Sequence, residues 1–349
     1  MAQGVFVSSS RQLTAMTTEG KYVYHGAVNS PFYTLYLSPF CDRVCERLPA
    51  WVHPDFLTIA GATSVALSTW IVFSTGASAV GCLLGLVYLV YPLFDNLDGK
   101  QARRLKCGSV AGEFLDHIVD SYANSLSCAL ALMVISGDLE LVSVYVALGP
   151  GLCYFSSIWA QVVVGRLVIG MKLDSDVEKP DYITVDEINV FVIPGLLLLR
   201  ACASAGWLPS MPGQDFVILG LVWAPVAVMF LGKCMFCWSV SRLGVQHVPA
   251  MAAYAAYALV CCVWKPPLLW SAPVLTLMSM EMMRYRLVQF FGPAKAWRVW
   301  LPVLGFAALC AAGPPEGVDF VAAVLHFAVG ACLVGNRAHL KRVVAETES

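Results

Sequence analysis

Ten apolar stretches, each close to the length that crosses a lipid bilayer, occupy most of this 349-residue sequence. A transmembrane helix needs about 20 consecutive, mostly apolar residues. The stretches lie at residues 56–73, 77–94, 114–135, 141–165, 188–207, 215–232, 249–264, 267–283, 297–312 and 319–336. Charged residues make up 13% of the chain, whereas soluble domains contain about 25%. The sequence therefore predicts an all-α, polytopic integral membrane protein with about ten transmembrane helices, surrounded by membrane lipid.

Lysine and arginine residues lie almost entirely on one side of the predicted helices. If the chain starts in the cytosol, all 22 of them except Arg200 and Lys265 fall in or beside cytosolic connections. Because cytosolic loops of membrane proteins carry an excess of lysine and arginine, this asymmetry predicts that both termini are cytosolic. The formal net charge of −1 argues against a basic nucleic-acid-binding surface, so we expect no nucleic acid partner.

Five carboxylates occur close together at the predicted cytosolic ends of the second and third spans. Asp95 and Asp98 close the second span, and Glu113, Asp116 and Asp120 open the third. Residues three or four apart share one face of a helix, and the short connection makes the two helices antiparallel neighbours. Oxygen ligands favour Mg²⁺, Mn²⁺ or Ca²⁺ over zinc, and paired cations are used in phosphoryl transfer. The spacing therefore predicts a site for two divalent cations.

Four basic residues, Lys100, Arg103, Arg104 and Lys106, lie between the two acidic faces. Cations beside bound metals are useful when the ligand is strongly anionic, and a pyrophosphate fits that description. Taken without the acidic residues, the same four side chains are equally typical of an ordinary cytosolic loop.

Segment 95–120 resembles the signature of the CDP-alcohol phosphotransferase family, D-x2-D-G-x2-A-R-x8-G-x3-D-x3-D. The matching residues are Asp95, Asp98, Gly99, Ala102, Arg103, Gly112, Asp116 and Asp120. The letters around them, DGKQARR and GEFLDH-x-x-DS, and the motif LSPF at 37–40 resemble the eukaryotic choline and ethanolamine phosphotransferase branch. The resemblance implies the membrane fold of that family.

The resemblance also implies an activity, its substrates and its cofactors. Members of the branch transfer phosphocholine or phosphoethanolamine from CDP-choline or CDP-ethanolamine to diacylglycerol and release CMP. Two Mg²⁺ or Mn²⁺ ions are expected on Asp95, Asp98, Asp116 and Asp120, and the CDP site is expected to be lined by Gly99, Ala102, Arg103 and Gly112. A homodimer in an endomembrane, the endoplasmic reticulum or the Golgi, with a cytosolic active site, is expected as well.

Asp55 departs from the family pattern. The first-span motif of relatives usually reads P-N-x-x-T, whereas this chain reads Pro54-Asp55-Phe56-Leu57-Thr58. We expect Asp55 at the nucleotide, where its carboxylate can accept a hydrogen bond from the cytosine amino group but cannot donate one. Its negative charge is unfavourable beside a pyrophosphate.

The lipid hydroxyl needs a base, and two residues compete for that role. His117 follows Asp116 and stands one turn after Glu113, so the glutamate is expected to orient its imidazole. The family resemblance points instead to Asp120, yet a carboxylate held by two cations is a weak base because the metals stabilise its charged form. We favour His117 as the base and Glu113 as its orienting residue; a purely structural histidine is the third reading.

The motifs divide the chain into three parts. Residues 1–52 form a cytosolic N-terminal segment whose part 31–52 is expected to be an interfacial amphipathic helix. Residues 53–210 hold the catalytic helices, and residues 211–349 form C-terminal transmembrane helices, a shell or dimer contact, with a cytosolic tail. Other functions stay open: an enzyme of the same family with another acceptor or headgroup (inositol, glycerol phosphate or a ceramide), and a cation channel or transporter, whose acidic residues usually lie nearer the membrane midplane.

Overall fold

The computed structural model describes residues 30–136, 142–164, 167, 184–208, 231, 248–288, 296–312 and 318–348. Within these ranges every regular element is a helix, which confirms the all-α prediction. The first helices are α1 (Ser38–Arg47, after a π-helical turn at Tyr33–Leu37), α2 (Pro54–Ser74), α3 (Ala79–Arg104), α4 (Val110–Ser136), α5 (Val142–Leu148) and α6 (Pro150–Val164). They are followed by α7 (Val185–Ser204), α8 (Val248–Trp264), α9 (Leu268–Val288), α10 (Trp300–Ala311) and α11 (Val318–Glu348).

Four helices, α2, α3, α4 and α7, are long and apolar enough to cross a membrane, and α8 and α10 are shorter apolar helices; only the described residues enter this comparison. The protein is thus an integral membrane protein by length and composition of its helices, while the count of ten spans stays a prediction. The predicted span 215–232 lies outside the described residues apart from Leu231. The predicted span 141–165 is split into α5 and α6, because Pro150 disfavours the helical conformation at Gly149.

Helix α4 is the centre of the bundle. Of its apolar window, 78% is buried, compared with 28% to 44% in the other three candidate spans. It packs against α2, α6, α9 and α11. Small hydroxyl residues allow close approach between membrane helices, and Ser121 Oγ donates to Ser279 Oγ of α9 at 3.0 Å. The C-terminal helices α9 and α11 therefore contact the helix that carries most of the predicted site.

The turn between α3 and α4 sets these helices antiparallel. Lys106 follows α3 with φ at 53°, a left-handed conformation that commonly ends helices. At the start of α4, Ser109 Oγ accepts the main-chain N–H of Gly112 at 3.1 Å, which is a helix N-cap interaction. The short connection 105–109 brings the C-terminal end of α3 beside the N-terminal end of α4.

Helix α1 has one packed face, and an exposed apolar face is formed by the turn before it and its first residues. Cys41 is fully buried in a small cluster with Leu97, and burial raises the pKa of its thiol to about 11, so it stays protonated and packs as an apolar residue. Leu35 and Tyr36 in the preceding turn and Phe40 on α1 are exposed. Such a face suits contact with lipid headgroups, and the interfacial placement of α1 stays a prediction.

The close packing around Gly151, at the break between α5 and α6, can be tested by its effect on stability. A Cβ at this position would lie 2.5 Å from the main-chain oxygen of Val146 and 2.9 Å from Leu275. Gly151→Ala is expected to lower the free energy of unfolding by about 1–3 kcal/mol, the usual effect of overpacking. Gly305→Ala on α10 is the matched control, because nothing lies within 4 Å of its Cβ position. Thermal melting in detergent compares the two, and equal melting temperatures would contradict the close packing.

Candidate active site

Three carboxylates converge where α3 meets α4. One ligand oxygen from each of Asp95, Asp116 and Asp120 lies within 4.8 Å of the others. Tyr91 donates to Asp120 Oδ1 at 3.0 Å, whereas the buried Asp116 Oδ1 has no hydrogen-bond partner in the described part of the chain. Buried polar atoms are normally satisfied, and hard oxygen ligands suit a divalent cation. The three side chains therefore fit the predicted metal site.

Asp98 is oriented differently from the other predicted metal ligands. It is 5% exposed, and its Oδ2 accepts a hydrogen bond from Thr58 of α2 at 2.5 Å. The group of three carboxylates does not include it. The structure therefore brings three of the four predicted ligands together, and the metal role of Asp98 stays a prediction.

His117 lies on α4 beside this cluster and is 3% exposed. Its Nδ1 is 2.9 Å from the main-chain carbonyl oxygen of Glu113 and 3.9 Å from Asp116 Oδ2. A carbonyl oxygen only accepts hydrogen bonds, so Nδ1 carries the proton in this arrangement and Nε2 is the basic nitrogen. Tyr154 of α6 donates to the His117 carbonyl oxygen, which attaches α6 to this turn of α4.

The Glu113 carboxylate is part of a buried ion pair with α9. Its Oε1 accepts from Arg286 and from Gln161 Nε2 of α6 at 3.2 Å, and the Glu113 and Arg286 side chains are 3% and 2% exposed. We expected the carboxylate to orient His117, but it is the main-chain carbonyl of Glu113 that contacts Nδ1. The carboxylate turns away from His117 because the positive charge of Arg286 attracts it and binds its Oε1.

The basic residues of the α3–α4 region fall into two groups. Lys100 Nζ pairs with Asp42 of α1 at 2.6 Å, and Arg104 donates to main-chain carbonyls at the end of α1. The expectation that all four cations serve an anion is therefore wrong for these two, because α1 offers acceptors closer at hand. Arg103 and Lys106 are exposed.

The remaining residues of the expected CDP site are spread along the same two helices. Arg103 lies over Gly99, with its guanidinium 3.4 Å from where a Cβ would stand. Ala102 is half-buried on α3, and the Gly112 main-chain N–H bonds Ser109. The contribution of these residues to a nucleotide site stays a prediction.

Asp55, at the start of α2, pairs with a partner from the far end of the sequence. Its Oδ2 accepts from the guanidinium of Arg337 on α11, and His53 Nδ1 lies 3.6 Å from the same oxygen. The Asp55 carboxylate, which we expected near the nucleotide, therefore has the cation of Arg337 beside it.

Residues 51–208 match the family model described as CDP-alcohol phosphatidyltransferase. The chain carries a CDP-alcohol phosphatidyltransferase domain. This confirms the family inferred from the signature at 95–120. Enzymes with this domain generally depend on divalent metals, in agreement with the three convergent carboxylates.

Curated relatives of this domain resemble the chain at modest identity. Cholinephosphotransferase 1 of Gallus gallus is 27% identical over 203 residues, which cover 54% of this chain and 56% of that protein. Choline/ethanolaminephosphotransferase 2 of Arabidopsis thaliana is 32% identical over 120 residues, 32% of this chain and 30% of the relative. CDP-diacylglycerol–serine O-phosphatidyltransferase of Encephalitozoon cuniculi is 34% identical over 107 residues, 29% of this chain and 28% of the relative. The chain spans about half or less of the length of these relatives.

Three residues around the site were missed by the sequence interpretation: Arg286, Gln161 and Arg337. Arg286 and Arg337 lie beyond the matched segment 51–208 and had been assigned to cytosolic connections on charge alone. Ionisable residues within a transmembrane segment indicate function, but both arginines come after a predicted apolar stretch, where a positive charge is ordinary. Nothing in the sequence distinguishes Gln161.

The Glu113–Arg286 pair predicts a large effect on stability. Arg286→Met leaves a buried carboxylate without its cation, and loss of one partner of a buried pair usually costs about 3–5 kcal/mol. Adding Glu113→Gln removes the unpaired charge and should recover most of the loss. Arg284→Met is the control, because Arg284 sits on the same helix in a partly exposed pair with Glu281 at 3.6 Å, which contributes little. Melting temperatures that fall equally in the two single variants would contradict this account.

Proposed function

We propose that this protein transfers phosphocholine, phosphoethanolamine or both from CDP-choline or CDP-ethanolamine to diacylglycerol, forming phosphatidylcholine or phosphatidylethanolamine and CMP. The observation that carries the proposal is the convergence of Asp95, Asp116 and Asp120 beside His117, in the halves of α3 and α4 next to their connection. The names of the chicken and Arabidopsis relatives support the same substrate class.

The carboxylates are proposed to hold the metal ions. Asp95, Asp116 and Asp120, together with Asp98, would bind two Mg²⁺ or Mn²⁺ ions, which suit an all-oxygen ligand set. When bound, such ions neutralise charge on the two phosphates and make the β-phosphorus more electrophilic. Asp98 follows Asp95 by one turn of α3, and its Oδ2 accepts a hydrogen bond from Thr58 at 2.5 Å.

His117 is proposed to be the base. With Nδ1–H held by the Glu113 carbonyl at 2.9 Å, Nε2 has the lone pair that can accept the proton of the lipid hydroxyl. The hydroxyl oxygen then forms a bond to the β-phosphorus, and the bond from this phosphorus to the oxygen bridging the two phosphates breaks. CMP leaves with that oxygen. Glu113 positions His117 through its main chain, and Asp120 acting as the base is the alternative.

The nucleotide is proposed to bind along α3 and the start of α4. Gly99, Ala102 and Gly112 carry little or no side chain there, and the guanidinium of Arg103 is exposed, which suits a phosphate. Asp55 is proposed to lie at the same nucleotide, from the side of α2.

The membrane placement is a proposal based on charge. The basic connections support a cytosolic active site and cytosolic termini in an endomembrane, the endoplasmic reticulum or Golgi, and we propose a homodimer. We keep the division into 1–52, 53–210 and 211–349 with one change. Because Arg286 and Arg337 contact residues of the site, the C-terminal part is proposed to complete the site and to serve as more than a shell.

A second candidate is transfer with a different donor or acceptor. The Encephalitozoon relative is named for CDP-diacylglycerol and serine. A donor in which the nucleotide carries the lipid is therefore tested beside CDP-choline and CDP-ethanolamine. A cation channel is disfavoured, because the carboxylates lie in the halves of α3 and α4 next to the basic turn and residues 51–208 match a phosphatidyltransferase model.

A donor panel decides between the candidates. Purified protein receives Mg²⁺ or Mn²⁺ with either CDP-choline or CDP-ethanolamine plus diacylglycerol, or CDP-diacylglycerol plus serine, inositol or glycerol phosphate. We expect phospholipid only from the first two mixtures, and no product after EDTA. Product only from CDP-diacylglycerol would overturn the proposed donor, and cation flux through vesicles without any transfer would favour a channel.

A further inference from the structure

An ion pair joins the start of α2 to the last helix, α11. Asp55 and Arg337 are 282 positions apart in the sequence, and the Asp55 carboxylate accepts a hydrogen bond from the Arg337 guanidinium. Their side chains are 21% and 25% exposed. The pair is therefore largely enclosed and still within reach of a water-soluble ligand.

The pair is connected to the carboxylate cluster through Thr58 and Asp98. Asp55 precedes Thr58 by three residues, so both side chains share one side of α2. Thr58 donates to Asp98 Oδ2 at 2.5 Å, and Asp98 follows Asp95 by one turn of α3. An anion held at the cluster is thus separated from the Asp55 charge by Thr58 and Asp98, a path of two helical turns and one hydrogen bond.

Arg337 is the cation that offsets Asp55. His53 Nδ1 lies close to Asp55 Oδ2, but it accepts the Asp55 main-chain N–H at 3.2 Å. An accepting Nδ1 carries no proton, so the imidazole is neutral in this arrangement. A guanidinium stays charged at any physiological pH. The net charge of the pair is therefore zero.

We infer that Arg337 is a charge-compensating residue of the nucleotide site, which allows the diphosphate of a CDP-alcohol to bind beside Asp55. The inference rests on the proposed function, since it takes a CDP-alcohol as the ligand. Without Arg337, the Asp55 carboxylate repels the phosphate charges, and for two charges about 12 Å apart at an effective dielectric constant of about 20 the effect on affinity is on the order of tenfold. Helix α11 thereby becomes part of the substrate site, although it lies outside the matched segment 51–208.

The test measures affinity for three ligands that differ in charge: cytidine, CMP and CDP, at fixed Mg²⁺, on the full chain in detergent. Arg337→Gln is expected to change cytidine affinity less than twofold, to weaken CMP several-fold and to weaken CDP about tenfold or more. The double variant Asp55→Asn/Arg337→Gln should return CDP affinity to within about threefold of the parent. Arg342→Gln, an exposed arginine of the same helix, should match the parent.

Kinetics separate this role from a purely structural one. In Arg337→Gln the KM for the CDP-alcohol should rise with the CDP dissociation constant, while kcat and the KM for diacylglycerol stay within about twofold. Equal weakening of cytidine and CDP, or a double variant as weak as Arg337→Gln, would overturn the inference. If Arg337→Gln does not fold, Asp55→Asn alone must bind CDP at least as tightly as the parent, and weaker binding would overturn it.

Different results would contradict the proposed function and the role of Arg337. A folded parent protein that binds no CDP and transfers no headgroup would contradict the proposed function itself. A parent that binds CDP and transfers a headgroup, with no dependence of the Arg337→Gln effect on ligand charge, would contradict only the role of Arg337.

Discussion

Asp116→Asn is expected to abolish headgroup transfer and to remove most of the affinity for Mn²⁺. Asparagine keeps the shape of the side chain but loses the negative charge of the carboxylate whose buried Oδ1 has no hydrogen-bond partner in the described residues. One carboxylate oxygen of Asp116 lies within 4.8 Å of an oxygen of Asp95 and an oxygen of Asp120. Because a catalytic metal supplies several kcal/mol of transition-state stabilisation, turnover should fall about a thousandfold or more.

Two measurements on the same preparation check this expectation. Mn²⁺ binding is followed by electron paramagnetic resonance, and transfer is followed with radiolabelled CDP-choline or CDP-ethanolamine. Glu46→Gln, an exposed carboxylate of α1, serves as the control and should behave like the parent in both. Unchanged Mn²⁺ affinity in Asp116→Asn would mean that the cluster is not a metal site.

His117→Ala is expected to lower turnover by about 10²–10⁴, the usual contribution of a general base. His117 lies beside Asp116 but does not belong to the group of side chains that could hold a metal ion, Asp95, Asp116 and Asp120. Mn²⁺ affinity and Mn²⁺-dependent CDP binding should therefore persist in this variant. Loss of turnover with retained ligand binding distinguishes a base from a metal ligand.

Asp120→Asn provides the contrast for the same experiment. Asp120 belongs to the carboxylate cluster, so its substitution should lose Mn²⁺ binding and turnover together. His339→Ala, a half-buried histidine of α11, is the matched control for loss of an imidazole. Near-parent turnover in His117→Ala would transfer the role of base to Asp120.

The local part of the site was predictable from sequence because it depends on helix geometry. Asp116 and Asp120 are four residues apart and therefore share one face of α4. Asp95 could be placed opposite them because the short connection between the two predicted spans makes these spans antiparallel neighbours. The all-α class followed from the lengths of the apolar stretches.

The distant partners could not be predicted, because no periodic pattern links residues so far apart. Arg286 is 173 positions from Glu113, and only the packing of α9 on α4 brings them together. Charge alone placed Arg286 and Arg337 in cytosolic connections, although each forms an ion pair with a residue of the site. The orientation of Asp98 toward Thr58 depends likewise on how α2 packs against α3.

The four cations of the α3–α4 region illustrate a further limit. They lie within seven residues of one another, yet Lys100 and Arg104 contact α1, whereas Arg103 lies over Gly99. The difference arises from the acceptors that α1 presents, Asp42 and the main-chain carbonyls at its end. Such a choice between a structural and a substrate role requires the tertiary structure.

The most direct test of the account is the stoichiometry of products in vesicles that contain the purified protein, diacylglycerol, Mg²⁺ and a CDP-alcohol labelled in its headgroup. The proposed displacement at the β-phosphorus predicts one CMP released for each labelled phospholipid formed, and no CMP release when diacylglycerol is omitted. CMP release that does not depend on diacylglycerol, or product lipid without the labelled headgroup, would contradict headgroup transfer as the function of this site.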